Sequence, residues 1–286
     1  MHQFCSQSRA AARRPAPGFT LVEIVVTLVI ASILVIGTFR FIGNSVDGFV
    51  VSSNRNQLAS AGRLALDRMA LELQTALPNS VRVAQDGQCL EFIPVVAATT
   101  YLDPDFADDS ASALAHFHAV VFNPPLLLEA PEQTYAAIYP AFTDELYQPV
   151  SSSSPLALLG EGGISAVDGE RVLISLDAPH LFPRRSPVDR LYIVEQPVSF
   201  CVVGPRLYRY SNYGLGNCDP AVPACLPQDA AAGRQLIANQ LSESPEAFAV
   251  LAPTLRRNSL VTFNLNFRDG NDSFSMSHEV LLRNTP

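Results

Sequence analysis

The chain has 286 residues, with 19 basic against 27 acidic ones and a formal charge of −8 at pH 7. That balance argues against direct binding to nucleic acid or anionic lipid, whose contacts depend on Lys and Arg. Every basic residue is arginine, so a Gly-x-x-x-x-Gly-Lys phosphate loop is excluded and ATP-driven work must come from another protein.

The amino end carries Arg9, Arg13 and Arg14 and then an apolar run from Phe19 to Phe39 whose one charge is Glu23. At about 1.5 Å per residue this run spans roughly 31 Å, enough to cross a bilayer once. Three arginines precede the run and only Arg40 follows it closely. The amino end is therefore expected in the cytoplasm and the bulk of the chain in the periplasm. A carboxylate in such a helix costs about 2.5–3.5 kcal/mol at the bilayer centre and less near an interface, so Glu23 calls for a partner. An ordinary secretory signal has a shorter apolar core followed by a small-residue cleavage site. A plain signal anchor would hold Glu23 only by accident.

Arg9, Arg13 and Arg14, the run Gly18-Phe19-Thr20-Leu21-Val22-Glu23 and the unbroken apolar helix resemble the class III signal of type IV prepilins and type II secretion pseudopilins. The resemblance implies that a membrane-embedded prepilin peptidase cuts between Gly18 and Phe19 and methylates Phe19. Glu23 becomes the fifth mature residue and pairs with the terminal amine of a neighbouring subunit, so that two buried charges offset one another. The leader departs from the commonest pattern in placing Pro15-Ala16-Pro17 before Gly18. Losing residues 1–18, with their three arginines and no acids, leaves 268 residues with 16 basic against 27 acidic, a balance of −11.

After Arg40 the helix is expected to continue, because Leu58, Ala61, Ala65, Met69, Leu73 and Leu77 recur every three or four residues until Pro78. Gly43 and Gly48 are candidate weak points. The expected organisation is a leader (1–18), a transmembrane half-helix (19–40), an amphipathic half (41–77) and a β-rich periplasmic head (78–286).

Beyond Pro78 the period becomes two. Strands are predicted at Val81–Ala84, Cys89–Val96, Phe117–Phe122, Arg171–Leu176, Leu191–Val194, Val198–Val203, Leu207–Tyr210 and Ala247–Leu251. A terminal hairpin alternates Val261, Phe263, Leu265 and Phe267 with polar residues, turns at 269–272 and returns through Phe274, Met276 and Val280. The stretches 103–115, 124–163 and 214–239 read as extended surface loops, with a short helix at Ala230–Leu241.

Cys5 falls in the leader, leaving Cys89, Cys201, Cys218 and Cys225 with three possible pairings in an oxidising compartment. Cys89 and Cys201 sit in strand-like runs and Cys218 and Cys225 share a loop, which favours 89–201 and 218–225. A metal site is the rival reading, but no Cys-x-x-Cys or nearby histidine completes a ligand set.

Catalysis finds little support. Losing the leader leaves His116, His118, His180 and His278, on which a triad or metal centre would have to draw; His116 and His118 share one strand face without a third metal ligand, and His278 falls on the apolar face of the last strand. Asp103, Asp105, Asp108 and Asp109 are oxygen donors for calcium, yet the loop lacks the EF-hand glycine and glutamate, and a solvated acidic loop explains them. Asp269, Asn271 and Asp272 serve as turn residues. No catalytic residue, metal or cofactor is expected.

The segment Pro197–Gly204, Arg206–Tyr210 and Tyr213-Gly214 is similar to the large minor pilin-like proteins of the mannose-sensitive haemagglutinin (MSHA) pilus system, the MshO type. The expectation is an α+β, pilin-like fold: a long amino-terminal helix packed on a largely antiparallel sheet. The expected role is a non-enzymatic minor pilin at the inner membrane that primes or caps a filament. Its partners would be the prepilin peptidase, other minor pilins, the major pilin and the inner-membrane assembly platform. A J-type minor pseudopilin of type II secretion and a pilus-tip adhesin are the alternatives.

Overall fold

The computed structural model describes residues 18–84, 86–102, 113–129, 133–216, 218, 225–242, 244–251, 259–270 and 272–282. The chain divides into two compact units, residues 1–54 and 55–286.

A single helix, α1 (Leu21–Leu73), crosses that division without a break, Gly43 and Gly48 included. Within the first unit no described residue is buried. In the second unit Leu58, Gly62, Ala65, Leu66, Met69, Ala70 and Leu73 form a buried stripe at helical spacing. The helix ends at Leu73, four residues before the predicted Leu77, because Thr75 and Ala76 donate to the carbonyls three residues back and Leu77 then turns to bond Ile93 O. That tightened exit draws residues 74–77 into pairing with the next strands, ahead of the Pro78 stop.

The strands follow as β1 (Arg82–Val83), β2 (Cys89–Phe92), β3 (Val95–Thr100), β4 (Leu114–Val120) and β5 (Tyr135–Ile138). A one-turn helix α2 (Thr143–Leu146) precedes β6 (Leu156–Ala166), β7 (Arg171–His180), β8 (Arg190–Val194), β9 (Val198–Val203), β10 (Arg206–Tyr210) and β11 (Arg234–Asn239). The chain closes with β12 (Leu241–Ser242), β13 (Phe248–Leu251), β14 (Ser259–Asp269) and β15 (Asp272–Leu282). The layout is α+β and pilin-like: a long apolar amino-terminal helix and antiparallel sheets.

One sheet runs β1-β2-β9-β10-β11, and a second places β14 between β15 on one side and β12 and β13 on the other. The buried face of α1 packs on both. Leu66, Met69 and Leu73 share a core with Phe92, Phe200, Phe263 and Phe267. At Gly62 an added Cβ would stand 2.7 Å from Met276 Sδ and 2.9 Å from a Phe267 ring carbon, so a glycine is what allows this close approach.

The third sheet, β3-β8-β5-β6-β7-β4, is an insertion into the first. Phe92 pairs with Val198 where the body strands end, Val95 pairs with Val194 where the insert begins, and Glu195 N donates to Pro94 O at 3.1 Å. The chain thus leaves and returns through one doorway. Tyr101 bridges Ala119, and Leu102 N donates to His118 O at 2.9 Å, joining β3 to β4 and closing the sheet on itself. Its interior holds Phe117, Phe122, Ile138, Ile164, Ile174, Phe182 and Ile193.

Three expectations are corrected. The stretch 124–163 is not a long loop, since β5 and most of β6 lie within it. Ala230–Leu241 is not helical, because Arg234–Asn239 pairs antiparallel with β10 and becomes the sheet's outer strand. Cys89–Val96 is two strands rather than one, split at Ile93 and Pro94 where the chain departs into the insert. In each case long-range pairing decides the state over local composition.

Candidate processing and assembly site

Gly18, Phe19 and Thr20 precede α1, and Thr20 caps it. Glu23 N donates to Thr20 Oγ1 at 3.3 Å, and Ile24 N to Thr20 O at 3.2 Å. Thr20 and Glu23 therefore occupy the N-cap and N3 places of a Thr-x-x-Glu start, with the carboxylate in the first turn where the helix dipole favours an anion. Gly18 has no left-handed φ, and a Cβ there would meet nothing within 4 Å. Neither backbone conformation nor packing within the chain asks for glycine at this position. Downstream, Phe19, Leu21, Ile33 and Phe39 are all exposed, so no described residue covers this apolar surface. By length and composition α1 is the one described helix able to cross a membrane.

The four histidines beyond residue 18 fall in different surroundings. His116 and His118 lie on the outward face of β4, opposite the buried Phe117 and Ala119. His180 is buried with Nε2 2.8 Å from Ser154 O and its ring edge-on to Phe182, and burial pushes its pKa below the ordinary value. His278 stacks on Phe263. Among the described residues no three His, Cys, Asp or Glu side chains are placed to hold a metal ion. Asp103, Asp105, Asp108, Asp109 and Asn271 lie outside the described residues. The structure joins Cys89 to Cys201 across paired positions of β2 and β9, and Cys218 to Cys225.

Sequence reasoning missed a buried charge cluster where insert meets body. Glu91, fully buried on β2, accepts from Arg82 Nε and, at 2.9 Å, from Tyr213 Oη. Tyr213 Oη also lies 2.6 Å from Ser199 Oγ. The Arg82 guanidinium stacks 3.7 Å from the centre of the Tyr147 ring, and Tyr147 Oη donates to Ser80 O at 2.5 Å. Burial, and then the Glu91 charge, push the Tyr147 and Tyr213 phenols far above their ordinary range, so both remain hydrogen-bond donors. Around them, Asn79 Nδ2 donates to Pro140 O at 2.8 Å and Thr143 Oγ1 to Asn79 O at 2.7 Å. The cluster clasps the insert to the segment leaving α1; its only sequence signal is a lone carboxylate inside the apolar strand Cys-Leu-Glu-Phe.

Residues 13–39 match the family model of the prokaryotic N-terminal methylation motif. No curated protein and no solved structure matches the chain significantly. The motif supports a type IV pilin-like or pseudopilin-like protein. Such a signal implies processing by a prepilin peptidase, and with the apolar helix it supports a membrane-anchored chain whose head lies on the carboxyl side.

Proposed function

We propose that the chain is a minor pilin of a type IV, MSHA-like pilus, a structural rather than enzymatic subunit that primes or caps filament assembly. The observation that carries this reading is the methylation motif over residues 13–39, set on an apolar helix that carries Glu23 in its first turn. Cleavage between Gly18 and Phe19 frees an amine on Phe19 and leaves the Glu23 carboxylate as the fifth residue. A neighbour offering the same arrangement supplies the opposite charge in an apolar bundle, where either charge alone is costly. Before extraction the helix sits in the inner membrane with the head in the periplasm. The glycine at 18, which the chain's own packing does not require, fits selection by a peptidase.

The head favours a rare or terminal position. A closed six-stranded insert on top of a complete helix-and-sheet body adds bulk that every copy in a filament would have to accommodate. A J-type minor pseudopilin shares the motif and is the second reading; expression of the chain with each system's remaining subunits distinguishes them. The test of the assembly mechanism is Glu23→Val in a piliated strain with the chain as its only copy. The variant should be cleaved normally yet be missing from sheared filaments, with filament number reduced. Normal incorporation of uncharged Glu23→Val would remove the pairing role.

A further inference from the structure

The terminal sheet ends on an edge of a kind that the rest of the head avoids. β15 runs 11 residues in unbroken register with β14, from Asp272 opposite Asp269 to Leu282 opposite Ser259, and among the described residues no strand pairs with its other side. It holds no proline, no lysine and no bulge, the devices that usually blunt an exposed edge. The other described edges are blunted. β1 and β12 are 2 residues long and β13 is 4. β11 pairs with β10 through a register shift, and its Gln235 accepts from Arg68 of α1. The insert closes on itself through Tyr101 and Ala119.

We propose that the outer edge of β15 takes up an extended segment of a different protein as a further strand of the sheet. The free N–H and C=O groups of such an edge supply affinity, and the side chains choose the partner. On the face turned to α1, Phe274 stacks on Phe267, Met276 lies beside Gly62 and His278 stacks on Phe263. All three are only half-buried, so apolar residues at alternate positions of an added strand would complete their cover. On the opposite face Ser273, Ser275, Ser277 and Glu279 are exposed, which suits small polar partners. The charged side chains of β15 are Asp272 and Glu279, and Glu279 faces the uncharged Thr262 across the ladder. A lysine or arginine beside Glu279 in the added strand supplies the opposite charge. A second copy would bring the same two acids and no cation, so this edge does not complement itself.

This inference stands apart from the filament reading, since it concerns binding by the purified chain without peptidase or pilus. The full chain in detergent is titrated with the capped peptide Thr-Val-Arg-Val-Thr-Val-Thr-Val-Thr. One control replaces its arginine by glutamate, and another carries N-methyl groups on two adjacent central amides, which blocks both edges of the peptide. The arginine peptide should bind saturably with a Kd on the order of 0.1 mM and slow hydrogen exchange at alternate amides of residues 272–282. The glutamate peptide should bind at least about tenfold more weakly, and the methylated one not at all. Glu279→Arg should reverse the preference between the two charged peptides while leaving the thermal transition unchanged. Absence of saturable binding, equal binding of the methylated peptide, protection away from 272–282, or a preference unmoved by Glu279→Arg would overturn the proposal. Self-association through β15 in place of peptide binding would assign the edge to a second copy and overturn it as well.

Discussion

The two halves of α1 are one continuous helix built to opposite specifications. From Leu21 to Asn54 it is apolar around most of its circumference and no residue is buried. From Arg55 to Leu73 one stripe is buried, with Ala65, Leu66, Met69, Ala70 and Leu73 covered by the chain's own sheets, while the opposite face, Leu64 and Leu71 included, stays exposed. A helix with an amphipathic stripe is stabilised by packing within its own fold, whereas one that is apolar all round needs lipid or other helices. The head therefore closes its own core, whereas the amino-terminal half presents an apolar surface that needs lipid or other helices to cover it.

Substitutions at the head end should be severe and at the other end silent in the same stability assay. Arg82→Ala removes the Arg82 cation from the fully buried Glu91 and should cost about 3–5 kcal/mol, read as a large fall in the urea midpoint of the detergent-solubilised chain. Leu73→Ala, at a position with no exposure, should cost about 2–5 kcal/mol, while Leu34→Ala, made to the same residue type on the open half, should leave head unfolding unchanged. Gly62→Val should cost about 1–3 kcal/mol by pressing on Phe267 and Met276, whereas Gly43→Val, where a side chain meets nothing, should not. A head that tolerated Leu73→Ala as well as Leu34→Ala would erase the contrast.

The smallest effect concerns His180. Its folded pKa lies below the ordinary value because burial disfavours the charged ring. The unfolded chain therefore takes up a proton first as pH falls below about 6.5. The stability tied to the neutral ring is present above that pH and is lost as pH falls toward the lowered folded value. His180→Gln should lose thermal stability at pH 7.5, and its gap from the parent chain should narrow at pH 5.

Legibility followed the range of the interactions. The Gly18–Glu23 run and the stripe from Leu58 to Leu73 are local patterns, and so is the terminal hairpin, where Val261 to Phe267 alternate in strict period two. β5 escaped because Tyr135–Ile138 is buried on both faces and carries no alternation. β6 escaped because Gly160-Glu161-Gly162-Gly163 interrupts it, with a register shift between Leu159 and Ile164 that no local rule foretells. Arg234–Asn239 follows an alanine run that favours helix, and pairing with β10 overrides it. The closure of the insert depends on Tyr101 meeting Ala119, and the Glu91 cluster joins residues from Ser80 to Tyr213; both are products of the tertiary fold alone.

On the proposed function the chain enters the pilin pathway through its amino terminus. The direct measurement is mass spectrometry of the mature amino terminus after expression with and without prepilin peptidase, beside a Gly18→Val control. The expected product is a chain beginning at N-methylated Phe19 only when the peptidase is present, with no cleavage of the Gly18→Val chain. An intact amino terminus in the presence of active peptidase, matching the control, would contradict it and leave a membrane-anchored protein with no part in filament assembly.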